Sequence, residues 1–398
     1  MIGKETAIEK KQKDPALDII RLVACYGVIS VHFLLNNGFY DAVLDGGKRL
    51  YAMVFLRSLF MYCVPLFMIL SGYLLCRKTS SKSYYKRIDH IYYTYAVASL
   101  FCVFAYPFLY THLQAFLGLP DKSFQHYIFR DVLLGILGFS AASYSWYIEM
   151  YLGLYLIIPF INHLYMNLDD KKQKQMLLLT AIILTSLPTI INVYNFTVPG
   201  WWSNPTNGDI NNNLYPLQKI MPAWWTGLYP VTYYLLGCYF REYRIRWKPY
   251  KIGLAIVLTV IVSGLFSLWR SNGIVFVREM WNQWNSLFNL VLSSLIFLFF
   301  LNIDCSCLPI FIKDLLSKAS GLCLGAYLVS WVFDQLFYPM LISRIPLVRD
   351  RLEYYCIVVP IVFICSMCVS YLIELSYSYL KQFTKYSARM YSEIIKRV

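Results

Sequence analysis

Five ionisable side chains fall within stretches apolar enough to lie in lipid: Arg21, His32, Arg57, Glu149 and Asp334. A charge at membrane depth costs at least about 2.5 to 3.5 kcal/mol, so each of the five is a candidate for chemistry. Arg21 and His32 stand eleven positions apart. At about 100° per residue that separation ends about 20° from three full turns, so both leave the same helix face, about 16 Å apart along the axis. Counted from the outer ends of their spans, His32 and Glu149 lie about four residues in and Arg57 and Asp334 about six, or ~6 to 9 Å, so the four can meet in one layer. A histidine beside a carboxylate is the arrangement of a general base, because the carboxylate fixes the tautomer and stabilises the imidazolium. A nearby guanidinium suits a developing oxyanion. Either Glu149 or Asp334 could supply that carboxylate, and Arg57 that guanidinium. Plainer readings stay open. Arg21 can pair with Asp18 three residues earlier and snorkel to the interface. His32 can hydrogen-bond a neighbouring helix, and the two carboxylates can be solvated from the outer loops.

The elements that must carry these residues are membrane helices. The chain has 398 residues, 58% apolar and 15% charged, with a mean hydropathy of +0.50. A soluble domain carries about 25% charged residues, so a water-soluble globule is excluded. With about 20 apolar residues needed per crossing, ten spans are expected: 16–36, 51–75, 90–110, 145–164, 175–194, 226–241, 250–269, 284–302, 319–340 and 354–379. The organisation is thus one all-α polytopic domain, 16–380, between tails 1–15 and 381–398. The first fifteen residues hold four lysines but no apolar core, so no removed leader is expected.

Loop charge decides a competing stretch, 124–140. With that stretch outside the bilayer, alternate loops hold twenty-four Lys and Arg on one side and ten on the other. The richer side is cytoplasmic by the positive-inside rule, and both termini belong to it. Residues 124–140 then read as an interfacial or re-entrant helix. The same bias accounts for the net charge of +14 without nucleic acid. The eleven cysteines are scattered, with only Cys305 and Cys307 close together and no accompanying histidine, so neither a disulfide framework nor a metal is expected.

The outer loop 195–225 holds Trp201, Trp202, Trp224 and Trp225 among amides and glycines. Tryptophans commonly mark the headgroup belt. Aromatic faces beside amides also suit a sugar, which stacks its CH face and hydrogen-bonds its rim.

Several segments carry a resemblance. LDIIRLVACYGVISVH on the first span, with Arg21 and His32, resembles the opening signature of acyltransferase family 3, bacterial membrane enzymes that acylate envelope sugars. VPLFMILSGYLL is similar to that family's element at Pro65, Phe67, Ser71 and Gly72. YYKRIDHIYY, WYIEMYLGLYLIIP from Trp146, YYLLGCYF and LGAYLVSW follow in the family's order, so the likeness covers nearly the whole chain. Members often carry an arginine where this chain has His90 and a histidine where it has Ser330. The resemblance implies transfer of a small acyl group, most often acetyl, from cytosolic acyl-CoA to a hydroxyl of an envelope glycan across the bacterial plasma membrane. Acetyl-CoA would then be the co-substrate. Its phosphates would meet Arg21, Lys86, Arg87 and His90 near Ser71 and Gly72, and the glycan would meet Asp334, Trp146 and the tryptophans of the outer loop. In that reaction His32, oriented by Glu149, would either deprotonate the acceptor hydroxyl or carry the acyl group transiently, and Arg57 would stabilise the oxyanion. A transporter or flippase is the rival class, since polar groups at depth also line solute paths. Oligomeric state is not readable.

Overall fold

The architecture comes from a computed structural model that describes residues 14–45, 47–124, 128–194, 218–271 and 274–395, with side chains as far as 387. Its helices are α1 (Pro15–Asn36), α2 (Lys48–Phe60), α3 (Cys63–Leu75), α4 (Lys82–Tyr85), α5 (Ile88–Leu117), α6 (Phe129–Leu137), α7 (Trp146–Met166), α8 (Lys171–Thr185), α9 (Pro188–Ile191), α10 (Tyr229–Glu242), α11 (Pro249–Ser271), α12 (Leu287–Leu301), α13 (Ile310–Gly321), α14 (Cys323–Arg344) and α15 (Tyr355–Ile395). There is no strand among the described residues beyond one isolated bridge, Val43 to Val275. Eight helical spans are long and apolar enough to cross a membrane, and α13 with α14, bent by 61°, makes a ninth if taken as one. The chain is an all-α, multi-pass membrane protein.

Four of the ten expected spans differ in form, the fifth being split into α8 and α9 and the ninth containing the 61° bend between α13 and α14. The second is broken at Met61–Tyr62 into α2 and α3. The sixth is only the 14-residue α10, about 21 Å long and too short for a full crossing. It survives as a core helix because α3 closes on it without side chains between them. A Cβ on Gly72 would stand 2.0 Å from the Tyr234 carbonyl oxygen, and one on Gly237 would stand 2.0 Å from that of Ile69. Small residues permit such contact, and dispersion then replaces the hydrophobic drive that lipid does not supply. The stretch expected at the interface is α6, nine residues with Phe129, Leu133, Leu134 and Leu137 exposed. It is too short to span.

Polar ties fix the end of the bundle that holds Pro15. Asn162 of α7 donates to the carbonyls of Leu75 (2.7 Å) and Lys78 (2.8 Å) and accepts from Tyr234 OH (2.7 Å), closing the orphan C-terminus of α3. Lys174 Nζ meets Glu242 Oε1 at 2.7 Å, joining α8 to α10. At the opposite end, Gly38 adopts φ 81° and turns the chain after α1. Arg351 holds that turn by donating to the carbonyls of Asn37, Ile345 and Pro346. The turn carries Tyr40 back over Arg57.

Candidate functional site

The site forms where α1 meets α14. His32 lies one turn before the end of α1 and is 8% exposed, while Asp334 in the middle of α14 is fully buried. Imidazole Nδ1 stands 3.3 Å from Asp334 Oδ2, too bent for a full hydrogen bond and therefore an electrostatic contact. Catalytic contacts are often long before substrate arrives. Tyr144, just ahead of α7, donates to the same Oδ2 at 2.8 Å and accepts from Asn36 Nδ2 at 3.2 Å. Its ring covers the imidazole at 3.9 Å between centroids. Tyr327 in turn donates to the Tyr144 carbonyl. Asn36, Tyr144 and Asp334 thus form a relay behind Nδ1, which favours the tautomer with the proton on Nδ1 and the lone pair on Nε2. Nε2 has no protein partner among the described residues.

His32 lines a cavity of about 490 Å³ whose walls include Arg57, Arg278, Tyr40, Gln283, Trp146 and Trp284. Arg57, in the last turn of α2, is 3% exposed. Its Nε donates to Tyr40 OH (2.8 Å) and its Nη1 to the Asn282 carbonyl (3.2 Å), and its guanidinium carbon lies 4.7 Å from the Phe276 ring centroid. Trp146 and Trp284 lie 6.2 Å apart and nearly parallel.

The expected residues separate into groups. His32, Arg57 and Trp146 line one cavity, and Asp334 stands directly behind it. Glu149 does not join them. It lies on the exposed side of the first turn of α7, so the carboxylate beside His32 is Asp334, and the expected pairing with Glu149 is corrected. Its position on α7 leaves it exposed rather than facing α1. Asp334 correspondingly faces the imidazole rather than the open cavity.

Arg21 is held against Ser320 of α13 (Nη1 to Oγ 3.4 Å) and lies 3.9 Å from Asp18 Oδ1. It does not line the His32 cavity. The two residues do face the same pair of helices, α13 and α14, as their spacing on α1 requires. Between them the interior is filled by tyrosines. Ring centroids step from Tyr144 to Tyr327 (6.2 Å), Tyr147 (5.8 Å), Tyr151 (5.8 Å), Tyr155 (6.1 Å) and Tyr84 (4.4 Å). Arg21 is within electrostatic reach of Tyr147 and Tyr151.

Gly72 is a packing position filled by α10, with no room for a ligand, which corrects its expected role at the donor. Ser71 Oγ donates to the Phe67 carbonyl (2.8 Å) and to Tyr151 OH (3.5 Å). His90 pairs with Glu374 at 2.8 Å, and Lys86 and Arg87 are exposed. Ser330 is buried and donates to the Tyr327 carbonyl. Trp224 is 85% exposed and Trp225 50% exposed, both off the cavity. Trp201 and Trp202 lie outside the described residues. No group of three or more His, Cys, Asp or Glu that could hold a metal occurs among the described residues.

Sequence reasoning missed Tyr144, Tyr327, Asn36, Gln283, Trp284 and Arg278. Arg278 was visible only as one of the ten outer-loop cations, and Tyr327 as part of LGAYLVSW. Among known proteins, the profile of a family described as an acyltransferase domain matches residues 14–375. No curated protein and no solved structure matches the chain.

Proposed function

The chain belongs to acyltransferase family 3, and from that premise we propose that it transfers an acetyl group from acetyl-CoA on the cytoplasmic side to a hydroxyl of an envelope glycan on the outer side. The observation that carries this reading is the imidazole of His32, backed by Asp334 and Tyr144 and open to a cavity whose far wall holds a buried guanidinium.

In the proposed reaction, Nε2 of His32 takes the proton of the acceptor hydroxyl as its oxygen attacks the thioester carbonyl. The imidazolium is stabilised by Asp334 behind it. Arg57 faces the tetrahedral oxyanion. Collapse breaks the carbon–sulfur bond, and the departing thiolate recovers the proton from His32. The products are an O-acetyl ester and free CoA. The sugar ring stacks on the indoles of Trp146 and Trp284.

The donor is polyanionic and enters at the other end of α1. There Arg244, Arg246 and Lys313 line a cavity of about 860 Å³ beside Asp14 and Pro15, and Arg77 and Lys78 line a second of about 490 Å³. Such cations suit phosphates, with Lys86 and Arg87 on the adjoining surface and Arg21 the first cation inward. Arg21 stands about 16 Å from His32 along α1, a reach for the flexible pantetheine arm. Tyr147 and Tyr151 occupy that path and must turn aside for the arm to pass.

The test uses protein in vesicles with labelled acetyl-CoA and a bacterial glycan extract. Release of free CoA with acetylated glycan, lost in His32→Ala, supports the reading. Movement of solute without thioester consumption points to a carrier and overturns it.

A further inference from the structure

The His32 cavity carries positive charge that the protein does not neutralise. Arg57 is almost fully buried, yet both of its hydrogen bonds go to neutral oxygens. Arg278 at the cavity wall makes no ion pair among the described residues and stacks on the same Tyr40 ring, 4.6 Å from its centroid against 5.7 Å for Arg57. One tyrosine ring therefore contacts both guanidiniums, and no acid among the cavity-lining residues separates them.

No Asp or Glu lines this cavity. Asp334 is engaged behind His32. Two outer carboxylates, Asp350 and Glu353, are bound to Arg49. Glu279 and Asp41 are exposed neighbours of the cavity residues but do not line it. Arg57 is a buried cation without a counter-ion, which is costly, and Arg278 is an exposed second cation on the same cavity wall, so an anion entering the cavity can pair with Arg278 and add the counter-charge that Arg57 lacks. A transition-state oxyanion does not supply it, because it exists only during the reaction and meets only one of the two arginines. A neutral sugar does not supply it either.

Resting on the acyl-transfer reading above, we infer that the acceptor is an anionic glycan, whose sugar in the His32 cavity bears a carboxylate or phosphate that ion-pairs with Arg278. Guanidinium forks match both anions in two-bond geometry. The cavity of about 490 Å³ is within the range that holds a small ligand such as one or two sugar units. Arg278 sets the orientation of the acceptor, and the stacked Trp146 and Trp284 set its plane.

The experiment compares paired acceptors in vesicles with labelled acetyl-CoA. One pair is a glucuronate-containing oligosaccharide and its carboxyl-reduced form. The other is a glucose-6-phosphate-terminated oligosaccharide and its dephosphorylated form. The charged member of at least one pair should be used about tenfold better in kcat/KM, the size expected for one charged hydrogen-bonded contact. Which pair responds separates carboxylate from phosphate. Arg278→Gln should cut the charged-over-neutral preference in kcat/KM about tenfold, through a raised KM for the charged acceptor, while Arg278→Lys keeps part of the preference. Binding of the same pairs in detergent, read by tryptophan fluorescence, reports charge preference without turnover. Equal use and equal binding of charged and neutral members, or equal losses for both in Arg278→Gln, overturn the inference. Absence of CoA release with every acceptor, alongside preserved charge-selective binding, instead overturns the acyl-transfer reading alone.

Discussion

His32 gives one edge of its ring to Asp334 and the other to the cavity, which makes Asp334 the most informative residue to change after the histidine itself. Asp334→Asn keeps the size of the side chain but removes the charge that orients and stabilises the imidazole. It should lower kcat about 10² to 10³-fold with normal membrane insertion, within the range of general-base catalysis. Tyr144→Phe removes one hydrogen bond to that carboxylate and should cost roughly tenfold. Glu149→Gln should leave turnover unchanged, measured in the same vesicle assay, because Glu149 faces outward from α7. At this scale the sequence revealed which residues bear charge at depth, since lipid makes them conspicuous. It did not reveal which carboxylate meets the imidazole, because spacing along one helix fixes direction only on that helix. Whether α7 or α14 presents its acid to α1 depends on how three helices rotate against one another. Tyr144 escaped notice because an uncharged residue in a short connection gives no signal.

Among the elements, the α3–α10 contact is the one most sensitive to a single atom. Gly237→Ala sets a methyl 2.0 Å from the Ile69 carbonyl oxygen, so the helices must part. Overpacking of this kind costs about 1 to 3 kcal/mol, which should appear as a lower unfolding temperature in detergent. An unchanged unfolding temperature contradicts the close packing. Hydropathy located nearly every span, because lipid imposes length and composition together. It did not place the break in 51–75 at Met61–Tyr62, although Pro65 in the first turn of α3 has no N–H to give to the Met61 carbonyl, nor show that α10 is held by glycines rather than by length. The family-like Ser-Gly pair divides accordingly, with Ser71 beside Tyr151 and Gly72 against α10.

For the whole molecule, α1 joins two cavities of different character. Arg244, Arg246 and Lys313 surround its start, and His32 with two further arginines surrounds its end. Tyrosine rings pack between them, so on the proposed reading donor passage requires these rings to move aside. Ser71→Phe, which crowds Tyr151 on that path, should reduce kcat at least tenfold while acceptor binding persists, read by fluorescence titration beside turnover. In the orientation proposed from the positive-inside count, the Pro15 end is cytoplasmic. A thiol reagent that does not cross membranes should therefore reach Cys307, which is exposed beyond α12, only from the cytoplasmic face.

The central claim is that His32 links a donor on one face to an alcohol on the other. Sealed vesicles with labelled acetyl-CoA outside, the cytoplasmic face of the protein outward and a glycan acceptor enclosed test it directly. The expected result is labelled acetyl ester inside for the native chain and none for an equally inserted His32→Ala. Native-level labelling of the enclosed acceptor by His32→Ala contradicts it.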